Sequence, residues 1–296
     1  MNMIDLLSSL PGAVAQGLIW GIMAVGVYIT YKLLDIADLT VDGSICTGAA
    51  VCTMMLLSGR SLWLAVLCAV AAGLLAGVVT GLLHIWLGIP PILAGILTQM
   101  TLWSVNLKIM GKANQGLSVR DNHVLLSQMD VPGALVVLAI AAVLIIWVIL
   151  NKTTFGYELK AVGFNRDASR YAGINEKRNI IMSMVIAGAI AGMAGGLLYL
   201  AGTGKHIEIK DVLASEGFTG ISVALLGLSH PIGVLFSGLF IAYLTAGGFY
   251  LQLFEFSTEI IDIIVAVIIY FSAFALIVKT IPTRMNHKRE KGGGRI

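Results

Sequence analysis

Long apolar stretches, separated by short polar ones, occupy most of this chain. A helix needs about 20 consecutive apolar residues to cross the hydrocarbon core of a bilayer. Nine stretches approach or exceed that length, and they run over residues 12–31, 43–58, 62–87, 90–107, 132–150, 179–200, 213–228, 232–250 and 259–279. The second and the seventh are short enough to be broken or re-entrant helices. The pattern predicts an all-α membrane protein, a bundle of about nine transmembrane segments.

The composition agrees with a membrane protein. Of the 296 residues, 58% are hydrophobic and 12% are charged, and the mean hydropathy is +0.92. Soluble domains carry roughly 25% charged residues, so this chain is far from that class. We expect one membrane domain over residues 1–296, with a short N-terminal segment at 1–11, a polar loop at 151–178 and a basic tail at 280–296.

The placement of lysine and arginine predicts the orientation of the bundle. The loop at 151–178 holds six basic residues, and the end of the chain from Lys279 onward holds six more. Loops rich in Lys and Arg stay in the cytoplasm, so both belong on the inner side. Four predicted spans separate them and five precede the first, which places the N-terminus outside and the C-terminus in the cytoplasm. The loops at 108–131 and 201–212 then face outward.

Glycine recurs every fourth residue in two of the predicted spans. The two series are Gly73, Gly77 and Gly81 in the third span and Gly188, Gly192 and Gly196 in the sixth. Small residues at this spacing form a smooth ridge that lets another backbone approach closely. Two packing partners remain open, namely another helix of the same subunit or the same face of a second copy.

The polar loop contains a short predicted helix within the stretch "GFNRDASRYAGINEKR" at 163–178. Asn165 is a favourable N-cap, residues 166–172 are compatible with a helix, and Gly173 is a typical C-terminal stop. Such a helix is far too short to span a bilayer. One face is apolar and another is basic. The apolar face comprises Phe164, Ala168, Tyr171 and Ala172, and the basic one Arg166 and Arg170.

This region resembles the coupling-helix region of the permeases of ABC importers for branched-chain amino acids and ribose-type sugars. The family pattern A-x-G-x-N-x-x-A-x-x-x-G-I is matched by Ala161, Gly163, Asn165, Ala168, Gly173 and Ile174. Three further stretches are similar to family segments and follow in the family's order. They are "DLTVDGS" at 38–44, "IPPILAGILTQM" at 89–100 and "GISVALLGLSHPIGVLFSG" at 220–238.

The resemblance implies that the short helix docks into a cleft of a separate ATPase subunit. The residues that it assigns to ATPase coupling are Gly163, Phe164, Asn165, Arg166, Asp167, Ala168, Arg170, Tyr171 and Gly173. We expect the apolar side chains to fill the cleft and the two arginines to reach acidic groups at its rim. The chain lacks the P-loop pattern G-x-x-x-x-G-K-[ST], so we expect a transport subunit rather than an enzyme, with ATP hydrolysed by its partner.

The resemblance also implies further partners. They are an extracellular solute-binding protein or lipoprotein, a second permease copy and the lipid bilayer of a bacterial plasma membrane, with no nucleic acid and no cofactor. Two departures from the family pattern concern the solute: Asp42 is an extra residue, and Ser229, His230 and Pro231 replace a glycine run. "DLTVDGS" is similar to the branch that accompanies lipoproteins for aromatic amino acids or similar solutes.

Several polar residues are candidates for the translocation path. They are Thr40, Asp42, Ser44 and Asp262. For Asp42 two interpretations stay open: a carboxylate that caps the start of the second span, or a polar group lining the path. Asp262 continues an acidic stripe with Glu255 and Glu259, which is typical of a hydrated first helical turn and also compatible with a docking role.

The cysteines and histidines show no metal-ligand spacing. Cys46, Cys52 and Cys68 fall in apolar stretches, so we expect three buried thiols, and His84 and His230 are expected to be structural.

From the resemblance we predict the permease subunit of an ABC importer for a small polar nutrient, an amino acid ahead of a sugar or nucleoside. The rivals are a stand-alone secondary transporter or channel, which needs paired ionisable groups at the membrane midplane, and a scaffold without transport.

Overall fold

The computed structural model describes residues 17–115, 131–201 and 231–251, together with runs of one to three residues at 14, between 207 and 227, and between 260 and 271. Nine helices and one pair of two-residue strands have both ends within these residues, and further helical positions lie between 220 and 226 and between 260 and 271. The helices are α1 (Gly17–Leu33), α2 (Thr40–Leu57), α3 (Leu62–Ile85), α4 (Pro91–Met110), α5 (Val131–Lys152), α6 (Thr154–Phe164), α7 (Arg166–Tyr171), α8 (Glu176–Ala201) and α9 (Pro231–Leu251). The strands are β1 (Asn114–Gln115) and β2 (Ile207–Glu208), which pair antiparallel.

The helices confirm an all-α membrane architecture and support part of the predicted span count. Among the described residues, α2, α3, α4 and residues Glu176–Leu198 of α8 are long and apolar enough to cross a bilayer. A fifth candidate is the pair formed by Ile140–Lys152 and α6, which is bent by 73°. The predicted stretches at 213–228 and 259–279 lie largely outside the described residues. The number nine therefore stays a prediction.

The second predicted span differs from its prediction in two respects. It is one continuous helix rather than a broken one, and it begins at Thr40 instead of residue 43. The break lies elsewhere, between α5 and α6. The amide of Thr40 donates to the Asp38 carboxylate over 2.9 Å. This bond supplies a side-chain acceptor at the helix start, where backbone amides have no partner within the helix.

The core of the bundle is the contact of α8 with α2 and α3. Both glycine series lie in this contact and face each other within one subunit. A Cβ added at Gly73 would lie 2.8 Å from the Cα of Gly192, and one added at Gly192 would lie 2.9 Å from the Cα of Gly73. Because these separations are too short for any side chain, the two backbones approach as closely as glycine permits. The sequence left two packing partners open for these ridges. In the structure each ridge packs against a helix of the same subunit.

Helix α2 contributes to the same packing through glycines outside the two series. A Cβ at Gly48 would lie 2.6 Å from the Cα of Gly192, and one at Gly195 would lie 2.8 Å from the Cα of Ile45. Helix α8 is thus held on two sides by close backbone contacts. The outer faces of α3, α4 and α5 carry exposed large apolar residues instead, including Leu67, Leu75 and Met100. Such faces suit contact with lipid tails.

A buried chain of threonines joins α2, α3 and α4. The hydroxyls of Thr40 and Thr80 lie 2.7 Å apart, and Thr80 donates to the Thr98 hydroxyl over 2.9 Å. All three residues are buried, and Thr98 donates to the Ala94 carbonyl. Interhelical hydrogen bonds of this kind stabilise membrane bundles by about 1 kcal/mol each. The sequence pattern did not single out Thr80 or Thr98.

We expect Thr80→Val to destabilise the bundle by about 1–2 kcal/mol, because the substitution keeps the shape of the side chain but removes the central hydroxyl. The measurement is thermal unfolding of the purified protein in detergent. Thr101→Val is the matched control, because the Thr101 hydroxyl is exposed and donates to the Leu97 carbonyl in its own helix. A Thr80→Val protein as stable as the control would contradict a stabilising role for the chain of threonines.

The predictions for the cysteines and histidines are confirmed only in part. Only Cys52 of the three cysteines is buried, whereas Cys46 and Cys68 are partly exposed, so the expectation of three buried thiols was wrong for two. His84 Nδ1 lies 2.8 Å from the Ile89 carbonyl oxygen, a structural contact across the turn between α3 and α4. His230 lies outside the described residues.

The contacts divide the chain into two units, Met1–Tyr243 and Leu244–Ile296. The helices α1 to α8 and the first part of α9 belong to the first unit. In the second unit the described residues comprise the end of α9 and helical positions between 260 and 271, where the rings of Tyr270 and Phe271 meet edge to face at 5.7 Å. One domain over residues 1–296 stays a prediction.

Candidate coupling surface and buried polar residues

The predicted polar loop at 151–178 is largely helical, because it contains α6, which was not predicted, in addition to the predicted short helix. Helix α6 leaves the end of α5 at a bend of 73°. The hydroxyl of Thr153 accepts from the Gly156 amide over 3.3 Å and caps the start of α6. A Cβ at Gly156 would lie 2.6 Å from the carbonyl carbon of Leu150, so glycine permits the sharp turn. The buried residues Leu159 and Val162 hold α6 against the bundle.

Helix α7 has the start and stop that the sequence predicts. The Asn165 side chain accepts from the Ala168 amide over 3.0 Å, and the Ser169 hydroxyl donates to the Asn165 carbonyl over 2.8 Å. Gly173 has φ +81°, a left-handed conformation that glycine adopts without strain, and its amide donates to the Arg170 carbonyl over 3.0 Å. Both ends of this six-residue helix are therefore fixed by local hydrogen bonds.

The apolar face of α7 points away from the rest of the subunit. Phe164 and Tyr171 are each 94% exposed, and Ala168 and Ala172 are exposed as well. The inner side of the helix is formed by Ser169, which is 4% exposed. We use the name outer face of α7 for four residues of this segment, namely Phe164 at the end of α6, Ala168 and Tyr171 of α7, and Ala172 directly after it. Two aromatic rings left bare on a rigid, polar segment form a surface that another protein can cover.

The two arginines of α7 have partners within the chain. Arg170 forms an ion pair with Glu176, and this hydrogen bond raises the pKa of the Arg170 guanidinium above its usual range. Arg166 Nη2 donates to the Leu34 carbonyl over 3.2 Å. We expected both side chains to reach outward to acidic groups on a partner. In this structure both side chains bond within the subunit, and the neighbouring Asp167 is exposed in the first turn. Their contact with a partner stays a prediction.

Further contacts attach α6 and α7 to the ends of two long helices. Asn179 of α8 donates to the Glu158 carboxylate of α6 over 3.0 Å. Asn175 caps α8, since its side chain accepts from the Arg178 amide over 3.1 Å. On the other side, a Cβ at Gly163 would collide with the Leu33 carbonyl oxygen at the end of α1. We call α6 and α7 together the coupling framework. It contacts both α1 and α8, and it carries the outer face of α7.

The residues predicted to line a path lie inside the subunit. Thr40, Asp42 and Ser44 are 1%, 3% and 0% exposed. Asp42 lies within the first turn of α2 rather than before it, and the carboxylate that accepts from the first amide is that of Asp38. Asp262 and the rest of the acidic stripe, Glu255 and Glu259, lie outside the described residues. A path along these side chains stays a prediction.

Buried polar atoms without a partner occur at three of the described residues. They are the Ser44 hydroxyl and the side-chain carbonyl oxygens of Asn106 and Asn179. No role was predicted for Asn106, Asn179, Asp38 or Glu158, since isolated polar residues give no periodic signal. Among the described residues, no three His, Cys, Asp or Glu side chains cluster as metal ligands would.

Comparison with known proteins gives the family. Residues 10–273 match the model of the branched-chain amino acid transport system permease component. The tyrosine transport system permease protein of Clostridioides difficile (strain R20291) is 36% identical over 228 residues, which cover 75% of this chain and 74% of that protein. The guanosine ABC transporter permease protein NupP of Bacillus subtilis (strain 168) is 38% identical over 154 residues, or 52% of this chain.

A third relative is the nucleoside ABC transporter permease protein NupB of Lactococcus lactis subsp. cremoris (strain MG1363), which is 43% identical over 143 residues, or 48% of this chain. The matches cover 44% of NupP and 39% of NupB, less than half of each. Among solved structures, a chain of PsaBC from Streptococcus pneumoniae in complex with Fab shares the fold. It has a TM-score of 0.54 and 14% identity, over 92% of this chain and 95% of that one.

The family match spans both the helical core and the coupling framework. The relative from Clostridioides difficile adds agreement over three quarters of both chains. The chain therefore belongs to the family of permease components of branched-chain amino acid transport systems, within the ABC importers.

Proposed function

We propose that this permease imports an amino acid across a bacterial plasma membrane, driven by a separate ATPase subunit that binds the outer face of α7. The observation that carries the proposal is the exposure of Phe164 at the end of α6 and of Tyr171 in α7, each 94%, beside helix ends that are fixed by hydrogen bonds. Aromatic side chains seated in a partner's pocket supply much of the binding energy of protein interfaces. A rigid segment presents them without an ordering cost on binding.

The contacts of the coupling framework support its role in transmitting a movement of the ATPase to the membrane helices. A force applied to the outer face reaches α8 through the Arg170–Glu176 ion pair and the Glu158–Asn179 hydrogen bond. Helix α8 is in backbone contact with α2 and α3 at its glycines. Because closely packed helices shift as bodies rather than deform, a displacement of α8 moves its neighbours with it. We propose that this motion alternately opens a path between two permease copies.

We also propose the predicted orientation, with the N-terminus outside and α6 and α7 in the cytoplasm. The pairing of Asn114 with Glu208 supports one part of it, namely that the segments after α4 and α8 lie on the same side of the membrane. Both segments were predicted to face outward. An extracellular solute-binding protein or lipoprotein would deliver the solute on that side, as the family implies.

For the solute, an amino acid is supported by the relative that covers most of both chains, a tyrosine transport system permease protein. The second candidate is a nucleoside. It is supported by NupB, which has a higher identity, 43%, over about half of this chain. Both candidates are small polar molecules with a planar ring, so overall size and polarity do not separate them.

Uptake by proteoliposomes separates the two candidates. They would contain this chain with its ATPase, with the binding protein added outside and ATP enclosed. We expect ATP-dependent accumulation of labelled tyrosine, with unlabelled tyrosine competing and unlabelled guanosine without effect. Accumulation of guanosine alone would favour the nucleoside. Gradient-driven uptake by the chain without any ATPase would contradict the ABC mechanism.

A further inference from the structure

The C-terminal end of α1 touches the coupling framework at two adjacent carbonyl groups. Arg166 Nη2 donates to the carbonyl of Leu34 over 3.2 Å. One turn earlier in α6, Gly163 lies so close to the carbonyl oxygen of Leu33 that an added Cβ would collide with it. These contacts join residues more than 120 positions apart in the chain. They are independent of the contacts that α6 and α7 make with α8.

The chemistry of a helix end explains why an arginine fits at this position. The last carbonyls of a helix have no amide donor within it, and they carry the negative end of the helix dipole. A guanidinium supplies both a hydrogen bond and a positive charge. The last turn of α1, Tyr28–Leu33, is a π-helix, a wider turn that occurs often at functional sites. Arg166 therefore caps α1 from another part of the chain.

The end of α1 is joined in turn to the starts of α2 and α4. In the connector between α1 and α2, the Ile36 amide donates to the Thr30 carbonyl over 3.0 Å, and Asp38 accepts from the Thr40 amide over 2.9 Å. A Cβ at Gly95 of α4 would lie 2.9 Å from the Leu39 amide nitrogen. A displacement of the end of α1 is therefore passed to the connector and to the start of α2.

We propose that Arg166 is a positioning residue that ties the coupling framework to α1, so that a movement of the ATPase reaches α1 and α2 directly. The proposal rests on the proposed function, in which the ATPase binds the outer face of α7. It gives Arg166 an inward role. The side chain holds a carbonyl of its own subunit, and the ATPase contact is left to the outer face.

The test compares Arg166→Ala with Arg166→Lys in the complete transporter, reconstituted in liposomes. Three quantities are measured: the ATPase retained on co-purification, the rate of ATP hydrolysis, and the solute accumulated per ATP hydrolysed. Arg178→Ala is the control, since it removes a charge from an exposed arginine at the start of α8. We expect Arg166→Ala to retain its ATPase but to lose about fivefold or more in solute per ATP, the lower range for coupled sites.

Arg166→Lys is expected to keep at least about half of the normal ratio, because a lysine can still donate to the Leu34 carbonyl. Arg178→Ala should keep the full ratio. Loss of the ATPase from Arg166→Ala would show an outward contact and overturn the inward role, as would an unchanged ratio or a lysine variant no better than alanine. A wild-type chain that drives no ATP-dependent uptake would instead remove the proposed function itself.

Discussion

Ala168→Glu should leave the permease folded and inserted in the membrane but unable to hold or stimulate its ATPase. Ala168 is exposed in the middle of the outer face of α7, so its side chain contributes nothing to the core. In the proposed complex the substitution places an unpaired carboxylate in a desolvated contact. That penalty is about 3 kcal/mol or more, enough to lower the affinity over a hundredfold. The measurement is co-purification of the ATPase together with solute-stimulated ATP hydrolysis.

Lys177→Glu is the matched control for this variant. It introduces the same carboxylate at an exposed site on the first turn of α8, outside the outer face of α7. We expect it to assemble and to couple at close to the wild-type level. If Ala168→Glu behaves like this control, α7 is an ordinary interfacial helix, and the ATPase binds elsewhere.

Gly192→Leu should prevent the bundle from forming. A Cβ at this position would lie 2.5 Å from the carbonyl oxygen of Ala69 and 2.9 Å from the Cα of Gly73. Both are backbone atoms, so no rotamer change relieves the conflict, and α3 and α8 must separate. Overpacking of a well-packed core destabilises a protein by about 1–3 kcal/mol even where side chains can move. We expect a larger loss of folding stability here, because the conflict is with backbone atoms. The measurement is the yield of monodisperse protein after detergent extraction.

Gly196→Ala separates this effect from a general intolerance of substitution in α8. Its added Cβ would meet the side-chain carbons of Ala69 and Cys52 at 3.2 and 3.4 Å, which small shifts can accommodate. We expect a yield close to the wild-type level. Normal yield and uptake from Gly192→Leu would contradict the close contact of α3 with α8.

Local sequence chemistry was sufficient to predict helix α7. Asn165 offers a short acceptor side chain before an amphipathic turn, and Gly173 can adopt the positive φ that ends the helix. Both effects act within four residues, so a single sequence contains them. The spacing of the glycine ridges was equally local, but their partner was not. Only the fold decides that Gly73 faces Gly192 rather than a second copy.

Helix α6 was missed because its charges and its short length are typical of a loop. The available signal was the N-cap residue Thr153 and the apolar spacing of Phe155, Leu159 and Val162. The start of α2 was misplaced for a similar reason. Asp42 and Asp38 are both plausible caps in sequence, and the packing of Leu39 and Thr40 against Gly95 is not visible there.

Contacts between segments that are distant in the chain could not be predicted from the sequence. The bond from Arg166 to Leu34 depends on how the end of α1 meets the start of α7, and no periodicity links the two positions. An exposed arginine on a docking helix naturally predicts an acidic partner, yet a helix end nearby offers the same negative potential. The threonines of α2, α3 and α4 were also ordinary in sequence, and their hydrogen bonds appear only when the three helices pack.

Photo-cross-linking from the outer face of α7 tests the central claim most directly. A photoreactive amino acid at position 171, in place of the 94% exposed Tyr171, would be activated in membranes that contain the complete transporter. The same probe at the exposed position of Lys152 is the comparison. We predict one dominant adduct from position 171, with the ATPase subunit, and none with the ATPase from position 152. Adducts from position 171 with lipid alone would contradict the proposed docking of the ATPase on α7.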